Sequence, residues 1–201
     1  TTTDGVRVEP RQQDAGGGPG EPLRRIAGVA LGPLGTVAVI DAGPPQLVAF
    51  GPGFARGGRV ALSSRPTAIV CDPDGRLFVL HASRREIAVE RPGSFLRGWP
   101  AILDGGTPPG GAKKDLLALK GMDWALTSPI ALALDDLGRL YVLDDDARSV
   151  TVLDAKGRRV AVIAPPKGSP GELRAPTAIA VDSEGRVYVA DRKAGRILRF
   201  Q

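Results

Sequence analysis

One pattern is written four times along this chain, and it settles the kind of structure the chain can form. An apolar run leads into a turn containing Asp and Gly. A second run rich in Val, Leu and aromatics follows, then a polar loop and a third apolar run. The four versions occupy residues 26–50, 66–90, 129–153 and 176–200. Aligned on Gly35, Gly75, Gly138 and Gly185, they recur at spacings of 40, 63 and 47 residues. Self-similarity at such a period marks a repeat architecture, and a unit of four short strands takes roughly 40–50 residues. Two spacings fit such a unit, and the middle one holds an insertion.

Within each unit the chemistry is that of strands. The first runs (67–71, 130–134, 177–181) and the second (76–80, 139–143, 186–190) are short and rich in β-formers. They are separated by about four residues with Asp and Gly, which reads as a β-hairpin in which Gly supplies a positive φ. Six residues after each aligned glycine stands Asp41, His81, Asp144 or Asp191. Third runs follow at 46–50, 86–89, 149–153 and 196–200, and weaker fourth runs at 58–62, 94–99 and 158–164. Helical periodicity is absent from the units. The expected class is all-β, four strands to a unit.

Residues 176–200, from Pro176-Thr177-Ala178-Ile179-Ala180-Val181 through Asp191 to Arg196-Ile197-Leu198-Arg199-Phe200, resemble the NHL repeat, the blade unit of NHL-type β-propellers. The third unit matches well. The second has His81 where the family usually has Asp, and the first lacks the leading Pro and has Gly32 in place of the first Asp. The resemblance implies one β-propeller domain, with blades at about 23–64, 65–100, 128–165 and 175–201 and an insertion at 100–128. The last unit ends after its third strand, and residues 4–10 read as the missing fourth. Such a strand would latch the ring and remove its open edges, so the expectation is a closed four-bladed ring. NHL propellers more commonly have six blades, which leaves a piece of a larger ring as the alternative. Within the insertion, residues 112–120 are good helix formers ending at Gly121, a plausible C-cap, and are expected to be helical.

Composition narrows the rest. At 201 residues the length suits one domain. The single cysteine, Cys71, forbids an internal disulfide and reads as a small buried apolar residue. No apolar run approaches the roughly 20 residues that span a bilayer. The sequence starts at Thr1 without Met, which agrees with removal of a signal peptide and a periplasmic or otherwise extracytoplasmic location. The net charge of +5 is read as arginine-biased coding rather than as the mark of an anionic partner.

The candidates for chemistry fare poorly. Propeller lyases and lactonases related to this family hold a metal with several His and carboxylates, and a His-bound catalytic metal commonly needs two or three imidazoles; this chain has one His. The ring of Asp41, His81, Asp144 and Asp191 invites a metal, yet each carboxylate reads more simply as an acceptor for loop N–H groups. Asp144-Asp145-Asp146 could offer oxygens to calcium but reads as a solvated loop, and Asp72-Pro73-Asp74-Gly75 as a hairpin turn. The glycine-rich stretches at 51–58 and 105–111 lack a following Gly-Lys-Ser/Thr, and no serine sits in a nucleophile elbow. The reading is a non-enzyme with no cofactor and no metal.

Propeller topology puts the Asp-rich hairpins (Asp72, Asp74, Asp135, Asp136, Asp182, Glu184) at the bottom, and basic loops with the insertion at the top. The candidate partner-binding residues are Arg84, Arg85, Arg192, Lys193 and Arg196 in those loops, and Trp99, Lys113, Lys114, Leu117 and Trp124 in or beside the insertion; Trp, Leu and Arg are typical interface anchors. The function expected is a non-catalytic interaction scaffold, a propeller subunit of a larger, membrane-associated assembly. The alternative is nucleic-acid binding, as some eukaryotic NHL proteins bind RNA, although the top loops after the second strands carry no aromatic on which bases could stack.

Overall fold

The computed structural model describes residues 23–51, 56–90, 115–117 and 126–201. They form four antiparallel sheets in chain order. Sheet one holds β1 (Ile26–Leu31), β2 (Val37–Ala42), β3 (Pro45–Phe50) and β4 (Arg56–Ala61). Sheet two holds β5 (Ala68–Cys71), β6 (Leu77–His81), β7 (Glu86–Glu90) and β8 (Asp115–Leu117). Sheet three holds β9 (Pro129–Leu134), β10 (Leu140–Asp144), β11 (Ser149–Leu153) and β12 (Arg159–Ile163), and sheet four β13 (Pro176–Val181), β14 (Val187–Asp191) and β15 (Arg196–Phe200). Each is a meander, its strands neighbouring in sequence order. The four units read from the sequence are therefore four sheets.

The sheets stack through their faces. Inner strand β1 packs on β5, β5 on β9, and β9 on β13. Because side chains alternate along a strand, each sheet has a forward face toward its successor and a backward face toward its predecessor. Ala30, Ala38, Ile40, Leu47 and Ala49 of sheet one meet Ile69, Leu77, Val79 and Ala88 of sheet two. Phe78, Leu80, Ile87 and Val89 then meet Leu132, Leu140, Val142 and Leu153. The same positions of sheet three, Ala133, Tyr141, Leu143, Val150 and Val152, meet Val187 and Val189, with Ile179, Val181, Leu198 and Phe200 packed around them. The inner strands converge, so their forward positions are small. At Gly28 an added Cβ would lie 3.2 Å from both Ile40 and Ile69, and Ala68 and Ala131 occupy the matching places.

One expectation changes, and a second falls outside the described residues. The insertion is not helical where it is described: Asp115–Leu117 is a strand, pairing antiparallel with β7 in the register Ile87↔Leu117, Ala88↔Leu116, Val89↔Asp115. Helices of nine or so residues are marginal alone, whereas the free edge of β7 offers backbone groups that need partners. Edge pairing outweighs local helix propensity, and Asp115–Leu117 is the fourth described strand of sheet two; residues 94–99, expected as that strand, lie outside the described residues. The latch between residues 4–10 and β15 also falls outside them. Within the described residues no packing comparable to β9 on β13 joins β13 to β1, and apolar side chains are open at both ends of the stack: Val29 (60% exposed) and Leu31 (76%) on β1, Ile197 (72%) on β15.

Candidate functional site

Antiparallel meanders put alternate turns at opposite ends of the stack, so the two loop ends can be weighed separately. At one end lie the hairpins that follow the inner strands. Asp72, Asp135 and Asp182 each accept the backbone N–H of the residue four positions on (Arg76, Arg139, Arg186) and its Nε–H at 2.5–2.6 Å. Asp154 and Arg158 repeat the arrangement in the β11–β12 turn, with Nε–H to carboxylate at 2.7 Å. The shared signal is Asp-x-x-Gly-Arg, with Gly at φ between 72° and 82°. Tyr141 and Tyr188 donate their hydroxyls to the same carboxylates, Asp135 and Asp182. For Asp182 desolvation alone would raise the pKa, and the donors led by Arg186 outweigh it and hold it at about 2. The arginines were already in the sequence, and they offset the acidic character expected of this end.

At the other end stand the aligned acids. Asp41 accepts N–H bonds from Arg24, Arg25 and Gly43 at 2.8–2.9 Å, and a bond from the Gln46 amide. Asp144 accepts from the N–H and Oγ1–H of Thr127, and from the N–H groups of Ser128 and Ala147. Asp191 accepts from the N–H groups of Arg174, Ala175 and Ala194. Each carboxylate thus ties the segment entering its sheet to the loop leaving β2, β10 or β14. Burial pushes all three pKa values up, and the N–H donors overcome it, leaving Asp41 at about 2 and the other two below the ordinary range. In sheet two His81 is buried, and its Nδ1 meets Ser64 Oγ at 2.8 Å. The four positions serve four separate sheets and do not converge. Among the described residues no three His, Cys, Asp or Glu side chains come together. Cys71 is half-buried against the first inter-sheet cluster, and burial followed by the nearby Asp72 pushes its thiol up to about 12.

The loops beside these acids carry the cations. Residues 82–85, 145–148 and 192–195 form one turn three times, each closed by an N–H to C=O bond from the fourth residue to the first. That fourth residue is left-handed in all three: Arg85 (φ 52°), Arg148 (φ 49°) and Gly195 (φ 61°). Arg84 pairs with Glu86 at 3.0 Å. Arg148 and Arg174 flank the Glu172 carboxylate at 3.6 and 3.5 Å, and Arg196 donates to the Glu172 carbonyl. Between sheets three and four, Arg148 and Glu172 border a cleft of about 320 Å³, with Ala147, Ala164, Pro165 and Leu173 as apolar lining and Lys167 beside them.

Five of the residues singled out from sequence, Arg84, Arg85, Arg192, Lys193 and Arg196, therefore share one end of the stack. Leu117 lies in β8 at the outer edge of sheet two. Trp99, Lys113, Lys114 and Trp124 lie outside the described residues. Glu172, where the cations gather, was not singled out; a lone Glu in a Pro- and Gly-containing connector carries no signal of its own.

Residues 173–200 match the NHL repeat family, so the fourth sheet is built from an NHL repeat. No curated protein matches the chain. Among solved structures, a protein of unknown function from Bacteroides caccae superposes with a TM-score of 0.55 at 12% identity, over 90% of this chain and 59% of that one. The chain thus spans 59% of that neighbour's length. At such identity the likeness is one of fold, and a fold alone does not carry a function.

Proposed function

We propose that the chain is a non-catalytic interaction scaffold, its four sheets acting as NHL-type propeller blades that present the basic loop end to a protein partner in a larger assembly. The carboxylates and the histidine that could have done chemistry are occupied in holding the sheets' connectors. One observation carries the reading. Arg85 and Arg148 take a left-handed conformation that costs a non-glycine residue on the order of 1 kcal/mol, at a turn position where the fourth sheet uses Gly195. A strained, solvent-facing arginine in place of an available glycine is what a surface kept for recognition looks like. Against nucleic acid, these three turns contain no aromatic residue for base stacking.

Arg85→Gly separates stability from recognition. Thermal unfolding should show a gain of about 0.5–1 kcal/mol, while cross-linked capture from the native source should lose the partner that the unmodified chain retains. Retention of that partner by a variant combining Arg85→Gly, Arg192→Ala and Lys193→Ala would reject the scaffold reading of this face. A gel shift with single-stranded RNA at low salt, where electrostatic attraction is strongest, would turn the reading toward nucleic acid.

A further inference from the structure

The forward face of sheet four has the sequence of an inter-sheet face and is open. It consists of Ala178, Ala180, Tyr188, Ala190, Ile197 and Arg199, the counterparts in β13–β15 of Ala131, Ala133, Tyr141, Leu143, Val150 and Val152 in sheet three. Val150 is fully buried under sheet four, while Ile197 is 72% exposed. The inner-strand positions are still alanines, the small residues that elsewhere let two inner strands approach. At the opposite end of the stack Val29 and Leu31 hold the backward positions that Ile69 and Cys71, Leu132 and Leu134, and Ile179 and Val181 hold in the later sheets. Ile69 and Leu132 are each 7% exposed, against 60% for Val29. The outer part of the same face, Val37, Val39, Val48 and Phe50, is buried beside Leu23, so only its inner strand is open.

We propose that the open face of sheet four docks a second copy of this chain, which lays its own β1 there through Val29 and Leu31. The choice of occupant follows from the molecule itself. Among the described residues forward and backward faces pack against each other three times, and there remain one open forward face and one open inner backward strand. Contacts of this head-to-tail kind either close into a ring or continue as a filament. Two copies bring eight sheets together, within the roughly four to eight blades of known propellers, so the expected product is a closed dimer. Arg199 replaces the apolar Ala49, Val89 and Val152 of the other sheets, and its charge keeps the association reversible. The inference concerns sheet faces, and does not depend on the scaffold reading of the loops.

Sedimentation velocity of the 201-residue chain over a wide range of concentrations tests it. The expected behaviour is a reversible equilibrium that ends at twice the 20.9 kDa chain mass. Ile197→Glu and Leu31→Glu each raise the dissociation constant about a hundredfold or more, because a carboxylate is buried without a partner. Mixing the two variants gives an association tighter than either variant alone and weaker than that of the unmodified chain, since one of the two interfaces is intact and the other carries both carboxylates. Arg199→Val tightens the dimer, a gain that misfolding cannot mimic. A chain that stays monomeric throughout, a dimer that survives Leu31→Glu, variants that associate no more tightly when mixed than alone, or growth past two copies would each overturn the proposal.

Discussion

Sheets three and four have nearly the same sequence pattern and opposite surroundings. Tyr141 and Tyr188 donate their hydroxyls to equivalent aspartates, and Asp144 and Asp191 gather equivalent N–H groups. Yet Tyr141 is 3% exposed beneath sheet four, while Tyr188 belongs to a face that is largely open. The repeat encodes a sheet with two sticky faces, and a forward face is buried where another sheet follows it. What the two sheets share is set within a unit, by turns and capping carboxylates. What separates them is set by stacking.

That division can be broken in order of expected effect. Leu143 is fully buried, and Leu143→Ala should cost about 2–5 kcal/mol in denaturant unfolding. The reverse change in sheet four, Ala190→Leu, should stay within about 0.5 kcal/mol in dilute solution; a cost matching that of the sheet-three change would mean the two faces are not in different surroundings. Asp144→Ala and Asp191→Ala should each cost about 2–3 kcal/mol, equally in both sheets, because each removes charge-assisted bonds to several buried N–H groups. Asp41 supplies the pH counterpart. Its folded pKa of about 2 lies below the ordinary 3.8, so in that interval the unfolded chain binds the proton and the folded chain does not. Its contribution, on the order of 2 kcal/mol, is full above pH 4 and lost as pH falls toward 2; acid unfolding of Asp41→Asn should lack this component. Smallest is the tyrosine pair: Tyr141→Phe should cost about 1 kcal/mol and Tyr188→Phe less, since water can satisfy Asp182.

The sheets were legible because each is local. Alternation, Asp-Gly turns and the aligned acids at 41, 144 and 191 recur within one unit, and the hairpins followed from them. The capping role of these acids was legible in part: acceptance of loop N–H groups was expected, but most donors lie 16–17 residues earlier in the chain, at Arg24, Thr127 and Arg174. The insertion misled because helix propensity over 112–120 is a local signal, while the strand at Asp115–Leu117 answers to the edge of β7. The hairpin arginines at 76, 139, 158 and 186 were visible, but their pairing with Asp four residues earlier needs the turn to bring them back. Ring closure was least legible. Whether Ile197 and Leu31 are covered depends on what stands beyond the repeat, and no residue inside a repeat reports that.

Amide hydrogen exchange at two chain concentrations tests most directly whether the fourth sheet is an inter-sheet face awaiting its neighbour. The account predicts that protection in β13–β15 and β1 rises with concentration, while β9–β11, already covered, stays constant. Protection in sheet four that is independent of concentration, or that rises together with sheet three, would contradict it.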